Sequence, residues 1–173
     1  DLSQLQGLVV LKLEGCDAIG GDISKLITAD LHELSLPTGV TASCFEDLPV
    51  HLPSLDHCVM RGCQEIGGNV TCAVIYWISK MREHDFSGCG QLRLAIRSSS
   101  LGRGSPQLTH VNLSGMDSLE GNLVDFSALL MLQSLKLRDC RKIAGSFLDD
   151  LVALHHLVEL DLVGTSVDGT IQG

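Results

Sequence analysis

Residues 132–140 read Leu-Gln-Ser-Leu-Lys-Leu-Arg-Asp-Cys. In an extended chain successive side chains point to opposite faces, so Leu135 and Leu137 share one face and Ser134, Lys136 and Arg138 the other. A strand of this kind buries one side and leaves three polar side chains outward.

The same spacing recurs on both sides of this stretch. Leu8-Leu11-Leu13-Cys16 and Leu157-Leu160-Leu162-Thr165 match it closely. Leu31-Leu34-Leu36, Leu55-Cys58-Met60-Cys63, Met81-His84-Phe86-Cys89 and Leu108-Val111-Leu113-Met116 match it more loosely. The seven first positions are 8, 31, 55, 81, 108, 132 and 157, so the steps are 23, 24, 26, 27, 24 and 25 residues. These are referred to below as units one to seven. After the cysteine place comes a second signature, an aliphatic residue, then glycine two positions on, then an aliphatic two beyond. It reads Ile19-Gly21-Ile23, Ile66-Gly68-Val70, Leu119-Gly121-Leu123, Ile143-Gly145-Phe147 and Val167-Gly169-Ile171. A glycine held at one place in a turn implies positive φ or a close backbone approach. Unit four departs from the rule with Leu94, and unit two is shortened around Pro37-Thr38-Gly39.

Steps of this length fall in the range of leucine-rich repeats, below the 33 or more of ankyrin and tetratricopeptide units. The chain resembles that family from Leu8 to Ile171. Its Gly-x-aliphatic continuation is similar to the plant-type subclass and its cysteine places to the cysteine-containing subclass, a mixture similar to algal and protist repeat proteins. The resemblance implies an α/β fold, a curved leucine-rich repeat solenoid of about seven coils with a parallel sheet on its concave face. One domain over 1–173 is expected, irregular around 37–50 and 97–107. Six strand spacings of about 4.8 Å give a sheet on the order of 29 Å across. The return path is expected to be short helical or irregular, with apolar residues at helical spacing in Phe126/Leu129/Leu132, Leu151/Leu154 and Val74/Ile78. Solenoids need polar caps at their ends, and neither Leu2-Leu5-Leu8 nor Ile171-Gln172-Gly173 reads as one. A piece of a longer protein, or one capped within an assembly, is therefore expected.

Composition bounds the function. The chain carries 12 basic and 21 acidic residues, a formal net charge of −9; with no clustered basic surface, a nucleic-acid partner is not expected. No apolar run approaches the roughly 18 residues of a membrane span, so no direct membrane insertion is expected. Seven cysteines, four of them (Cys16, Cys63, Cys89, Cys140) at one equivalent place, read as reduced, packed thiols without the close pairs that structural zinc uses. An intracellular site, cytoplasmic or organellar, follows as the expectation. On the same ground the acceptor patterns at Asn69-Val70-Thr71 and Asn112-Leu113-Ser114 are read as unglycosylated.

The outward rows carry the candidate site. Across units three to seven they are His57, Glu83, His110, Ser134, Glu159; then Val59, Asp85, Asn112, Lys136, Asp161; then Arg61, Ser87, Ser114, Arg138, Val163. Acidic patches at Glu83/Asp85 and Glu159/Asp161 thus flank the basic pair Lys136/Arg138. Either a partner protein reads this alternation or the charges pair across strands, Lys136 with Asp161, on a solvated face. Val74 and Ile78 pointing inward would lean Trp77 toward the surface, where tryptophan is a frequent interface anchor. His57, Glu83 and His110, with Asp85 nearby, are residue types a transition metal accepts, but two strand spacings hold the imidazoles about 10 Å apart at the backbone. His84, in an inward place, reads as a hydrogen-bonded core histidine, and His155-His156 as an exposed turn. No nucleophile triad, phosphate loop or paired-carboxylate cleft is visible; Gly102-Arg103-Gly104-Ser105 lacks the ending a phosphate loop needs. No catalytic, cofactor or metal site is therefore assigned. The expected role is protein–protein recognition or scaffolding, with a structural accessory subunit of a large assembly as the alternative.

Overall fold

A computed structural model describes residue 5 and residues 7–23, 30–42, 45–95 and 108–169. The irregularity expected at 97–107, Cys44, the Gly102 loop and Ile171-Gln172-Gly173 lie outside these residues. The chain is mixed α/β, with fourteen described strands, all paired in parallel, and few, short helices.

Each unit contributes two strands. The Leu-x-Leu places form β1 (Val10–Lys12), β3 (Glu33–Ser35), β5 (His57–Val59), β7 (Glu83–Asp85), β9 (His110–Asn112), β11 (Ser134–Lys136) and β13 (Glu159–Asp161). The glycine signature forms β2 (Gly21–Asp22), β4 (Val40–Thr41), β6 (Gly68–Val70), β8 (Leu92–Leu94), β10 (Leu119–Asn122), β12 (Ile143–Ser146) and β14 (Ser166–Asp168). The register places equivalent residues side by side: Leu11 with Leu34, Leu34 with Cys58, Cys58 with His84, then Val111 with Leu135 and Leu135 with Leu160.

The second set of strands corrects the expectation of a turn after the cysteine place. Glycine does adopt left-handed φ there, at Gly21 (127°), Gly68 (134°), Gly145 (126°) and Gly169 (145°), within or beside a ladder. Gly121 serves by close approach instead: a Cβ there would lie 2.8 Å from Leu94 Cβ. The leucine that departs from the rule in unit four thus packs over the glycine of unit five.

A further regularity lies just before the cysteine place. Gly15, Gly62, Gly88, Gly115 and Gly164 have φ between 65° and 81°, and Asp139 takes the same place in unit six at 62°. The residue ends the first strand in a left-handed turn, after which the amide of the cysteine place donates to the last inward residue, as Cys140 N does to Leu137 O at 3.0 Å. Asp139 is a residue type that tolerates this conformation.

Three thiols extend the tie to the preceding unit. Cys63 Sγ donates to Pro37 O (3.5 Å), Cys89 Sγ to Met60 O (3.3 Å) and Cys140 Sγ to Leu113 O (3.0 Å). All six described cysteines are free thiols, and only Cys16 among them is exposed. Burial raises the pKa of four of them: Cys63 to about 11, Cys140 to about 12, and Cys58 and Cys89 upward.

The first set of strands is not one sheet. β1-β3-β5-β7 and β9-β11-β13 are separate, whereas β6-β8-β10-β12-β14 runs unbroken past the same point. Elsewhere the residue after each first strand donates to the next unit, as Met60 N does to Asp85 O and Leu113 N to Lys136 O. Between β7 and β9 there is no such ladder; Gly88 N turns to the Asp117 carboxylate (2.8 Å), and α2 (Cys72–Ser79) packs against β9. This seam falls at the longest step, 27 residues, and at the unit where Met116 stands in the cysteine place. A thioether has no proton to give the Phe86 carbonyl.

The core behind the strands continues from Ile23 to Leu154. Thr71 caps α2 by accepting from Val74 N (3.4 Å), and the helix buries Cys72, Val74, Ile75, Trp77 and Ile78. α1 (Leu48–His51) packs on it, while α3 (Phe147–Asp150) closes unit six.

Candidate functional site

Along the outward rows charges pair with the base one unit before the acid, whereas just ahead of the strands Arg82 reaches back to Asp56 at 3.1 Å. A base on one unit meets an acid on the next: Lys12 with Glu33 (2.7 Å), His57 with Glu83 (3.4 Å), Lys136 with Glu159 (2.9 Å) and Arg138 with Asp161 (3.0 Å). Arg61 Nε likewise reaches Asp85 at 2.9 Å. Parallel strands at the register described place these side chains on one face, His57 directly opposite Glu83 and Lys12 and Lys136 diagonal to their acids. Solvent screening leaves exposed pairs of this kind little weight in stability.

Two of the acids hold the backbone as well. Asp85 Oδ1 accepts from Ser87 N (3.0 Å) and Ser87 Oγ (2.6 Å), and Asp161 Oδ1 from Val163 N (3.2 Å). Asn112 does the same for Ser114 N (3.1 Å). Each side chain thereby closes the turn that follows its strand. Partial burial pushes the Asp85 carboxyl up, but the Ser87 hydroxyl and amide and the Arg61 guanidinium outweigh it and leave it below its ordinary value. Lys136, and then Ser134, hold Glu159 low; Ser134 Oγ donates to its Oε2 at 2.7 Å.

The candidate residues therefore form two groups rather than one alternating stripe. Glu83 and Asp85 lie on β7 and are paired back toward β5. Lys136 on β11, Arg138 two residues past it, and Glu159 and Asp161 on β13 lie beyond the seam and β9. Lys136 and Arg138 face the acids of the next strand and are not an unopposed basic pair. Trp77 corrects its expectation outright. It is 5% exposed and packs beside Phe86, with ring centroids 6.4 Å apart. Its Nε1 donates to Leu52 O at 2.8 Å. The outward aromatic of α2 is Tyr76, with the Lys80 ammonium 4.0 Å above its ring.

His57 and Glu83 meet, but His110 lies across the seam with Nδ1 3.0 Å from Thr109 Oγ1. Among the described residues no three His, Cys, Asp or Glu converge on a point where a metal could sit. His84 does face inward, stacked 5.7 Å from Phe86, with its Nε2 buried and unpartnered. Burial pushes its imidazole below the ordinary value, against Asp85 and the Ser114 backbone.

Beside the seam lies a cavity of about 170 Å³ lined by Ser79, His110, Val111, Asn112, Ser134, Lys136 and Glu159. The Ser79 hydroxyl at the end of α2 is buried without a partner. The outward rows placed His110, Asn112 and Lys136 on neighbouring strands but gave no sign that Ser79 would join them. The sequence signal was the long step between units four and five, together with Met116.

No helix among the described residues is long and apolar enough to cross a membrane. The chain matches no protein-family model and no curated protein.

Proposed function

We propose that the chain is a leucine-rich repeat solenoid of about seven coils and serves as a protein–protein interaction module, not as an enzyme. The observation that carries this reading is the register of equivalent residues on consecutive parallel strands. It repeats an outward row of side chains unit after unit, the kind of extended surface repeat proteins use for binding. The partner is another protein, and the six free thiols fit an intracellular setting.

The alternative, an accessory subunit docking into a larger assembly away from the strand face, draws on a separate observation. Leu130, Met131, Val152 and Val158 are exposed, Val158 by 88%, on turns leading into β11 and β13. Crosslinking with mass spectrometry in the native extract, on wild type and on Lys136→Glu/Arg138→Glu, tests both. Links at Lys12 that the variant abolishes support the strand face. Links the variant leaves intact support docking elsewhere. A lysine map without intermolecular links overturns the interaction reading.

A further inference from the structure

Along the seam between β7 and β9 several polar groups lack partners among the described residues. By the alternation of the neighbouring ladders, β9 turns the peptide groups of Thr109 and Val111 toward β11 and those of His110 and Asn112 toward β7. The carbonyl of Thr109 indeed accepts from Ser134 N at 3.0 Å. On the opposite wall the peptide group of His84 and the amide of Phe86 face β9 by the same rule, since Glu83 and Asp85 serve β5. With no ladder between the two strands these groups have no strand to bond. The buried Ser79 hydroxyl, beside His110 and Asn112 in the adjoining cavity, has no partner, and neither has His84 Nε2 on β7. Unpaired buried polar groups are costly and uncommon, and a cluster of them points to something that completes it.

The missing groups are main-chain donors and acceptors on two facing edges. That is a template for one kind of ligand, an extended peptide, whose own N–H and C=O groups alternate to both sides. The unbroken β8–β10 ladder holds the two walls together along one side, so the seam is a wedge rather than a separation.

We propose that the seam receives an extended segment of a protein partner as an added strand, bonded to the edge of β9 and to the facing edge of β7. The inference rests on the interaction-module reading and assigns it a face. The adjoining cavity takes one side chain of that segment. Ser79, Asn112 and Lys136 offer donors there, Glu159 and Asn112 offer acceptors, and Lys136 and Glu159 offset one another's charge. A carboxamide, Asn or Gln, matches that mixture better than a charged group does.

The test uses the full chain, isotopically labelled, and a capped seven-residue peptide of alternating leucine and glutamine. Amide hydrogen exchange is read by NMR with and without the peptide. On saturation, exchange at His84, Phe86, His110 and Asn112 slows about tenfold or more. The same peptide N-methylated at alternate residues leaves it unchanged, and Ser79→Ala weakens binding by about tenfold, the loss of one hydrogen bond. Three results overturn the proposal: these amides are already slow without peptide; they stay fast with it; or only the β13 amides slow. Partner crosslinks mapped to another surface in the native extract, alongside any of these, would retain the interaction module while removing the seam as its site.

Discussion

The thiol of Cys140 donates to the main-chain carbonyl of Leu113, one unit back, at 3.0 Å. With the equivalent bonds of Cys63 and Cys89, it makes the cysteine place a tie between units rather than a filler of space.

The first prediction concerns that tie. Cys140→Ala loses the hydrogen bond and part of a buried side chain, for a cost of about 1–2 kcal/mol in a urea titration. Cys140→Ser keeps a donor and costs less. An alanine variant as stable as wild type would contradict the role given to the thiol.

Alkali should act through the same groups. A thiol whose folded value is raised, as Cys140 is to about 12 and Cys63 to about 11 from 9.0, binds its proton more tightly in the folded chain. Its contribution is complete below pH 9 and is lost as pH rises toward those folded values. Urea midpoints at pH 8 and pH 10.5 should fall steeply for wild type and less for Cys140→Ala. In native buffer iodoacetamide should label Cys16 well before Cys63, Cys89 or Cys140, read by peptide mass.

Asp139 is the one described non-glycine residue at left-handed φ, in a place glycine fills in five other units. Replacing it by glycine removes that strain and should stabilise by up to about 1 kcal/mol, or about 2–4 °C in Tm. The opposite change, Gly164→Ala, should destabilise, since a Cβ there would meet Asp139 Oδ1 at 2.6 Å. Calorimetry on both variants checks the pair; a lowered Tm for Asp139→Gly contradicts the turn assignment.

Asp85 should matter to folding whatever binds nearby. Its carboxylate holds Ser87 and Arg61 and is depressed, so its contribution is present above its ordinary value near 3.8 and is lost as pH falls through the lower folded value. Asp85→Asn should cost about 1–2 kcal/mol at pH 7 and flatten the acid limb of the stability profile. An unchanged acid limb argues against this.

The leucine spacing made β1, β3, β5, β7, β9, β11 and β13 legible in advance, because an alternation with one buried face leaves little freedom of register. Three features were not legible, each for a tertiary reason. The glycine signature looks like a turn locally and becomes a strand only when a neighbouring unit supplies its ladder. Helical phasing set Trp77 outward because it assumed one buried side for α2. That helix packs against α1, β6 and β9, so its apolar face widens to include Ile75 and Trp77, leaving Tyr76 outside. The seam depends on a hydrogen bond that is missing, and Met116 marks it only once the carbonyl role of the cysteine place is known. Of the candidate site, the residues in each outward row were legible, whereas their pairing was not, since Lys136 meets Glu159 rather than Asp161.

Trp77, the single tryptophan, reports directly on the burial of α2. Its fluorescence should be blue-shifted and poorly quenched by acrylamide, and Trp77→Phe should cost about 1–3 kcal/mol by stranding the Leu52 carbonyl. Emission near that of free indole in water would contradict the packing.

The account depends most on equivalent residues lying side by side on consecutive parallel strands. Scalar couplings across hydrogen bonds, measured by NMR on labelled protein, read that arrangement bond by bond. Correlations are expected from Leu113 N to the Lys136 carbonyl and from Leu137 N to the Asp161 carbonyl, with none from Phe86 N to the Asn112 carbonyl. Correlations displaced by one residue, or absent throughout β9, β11 and β13, would contradict it.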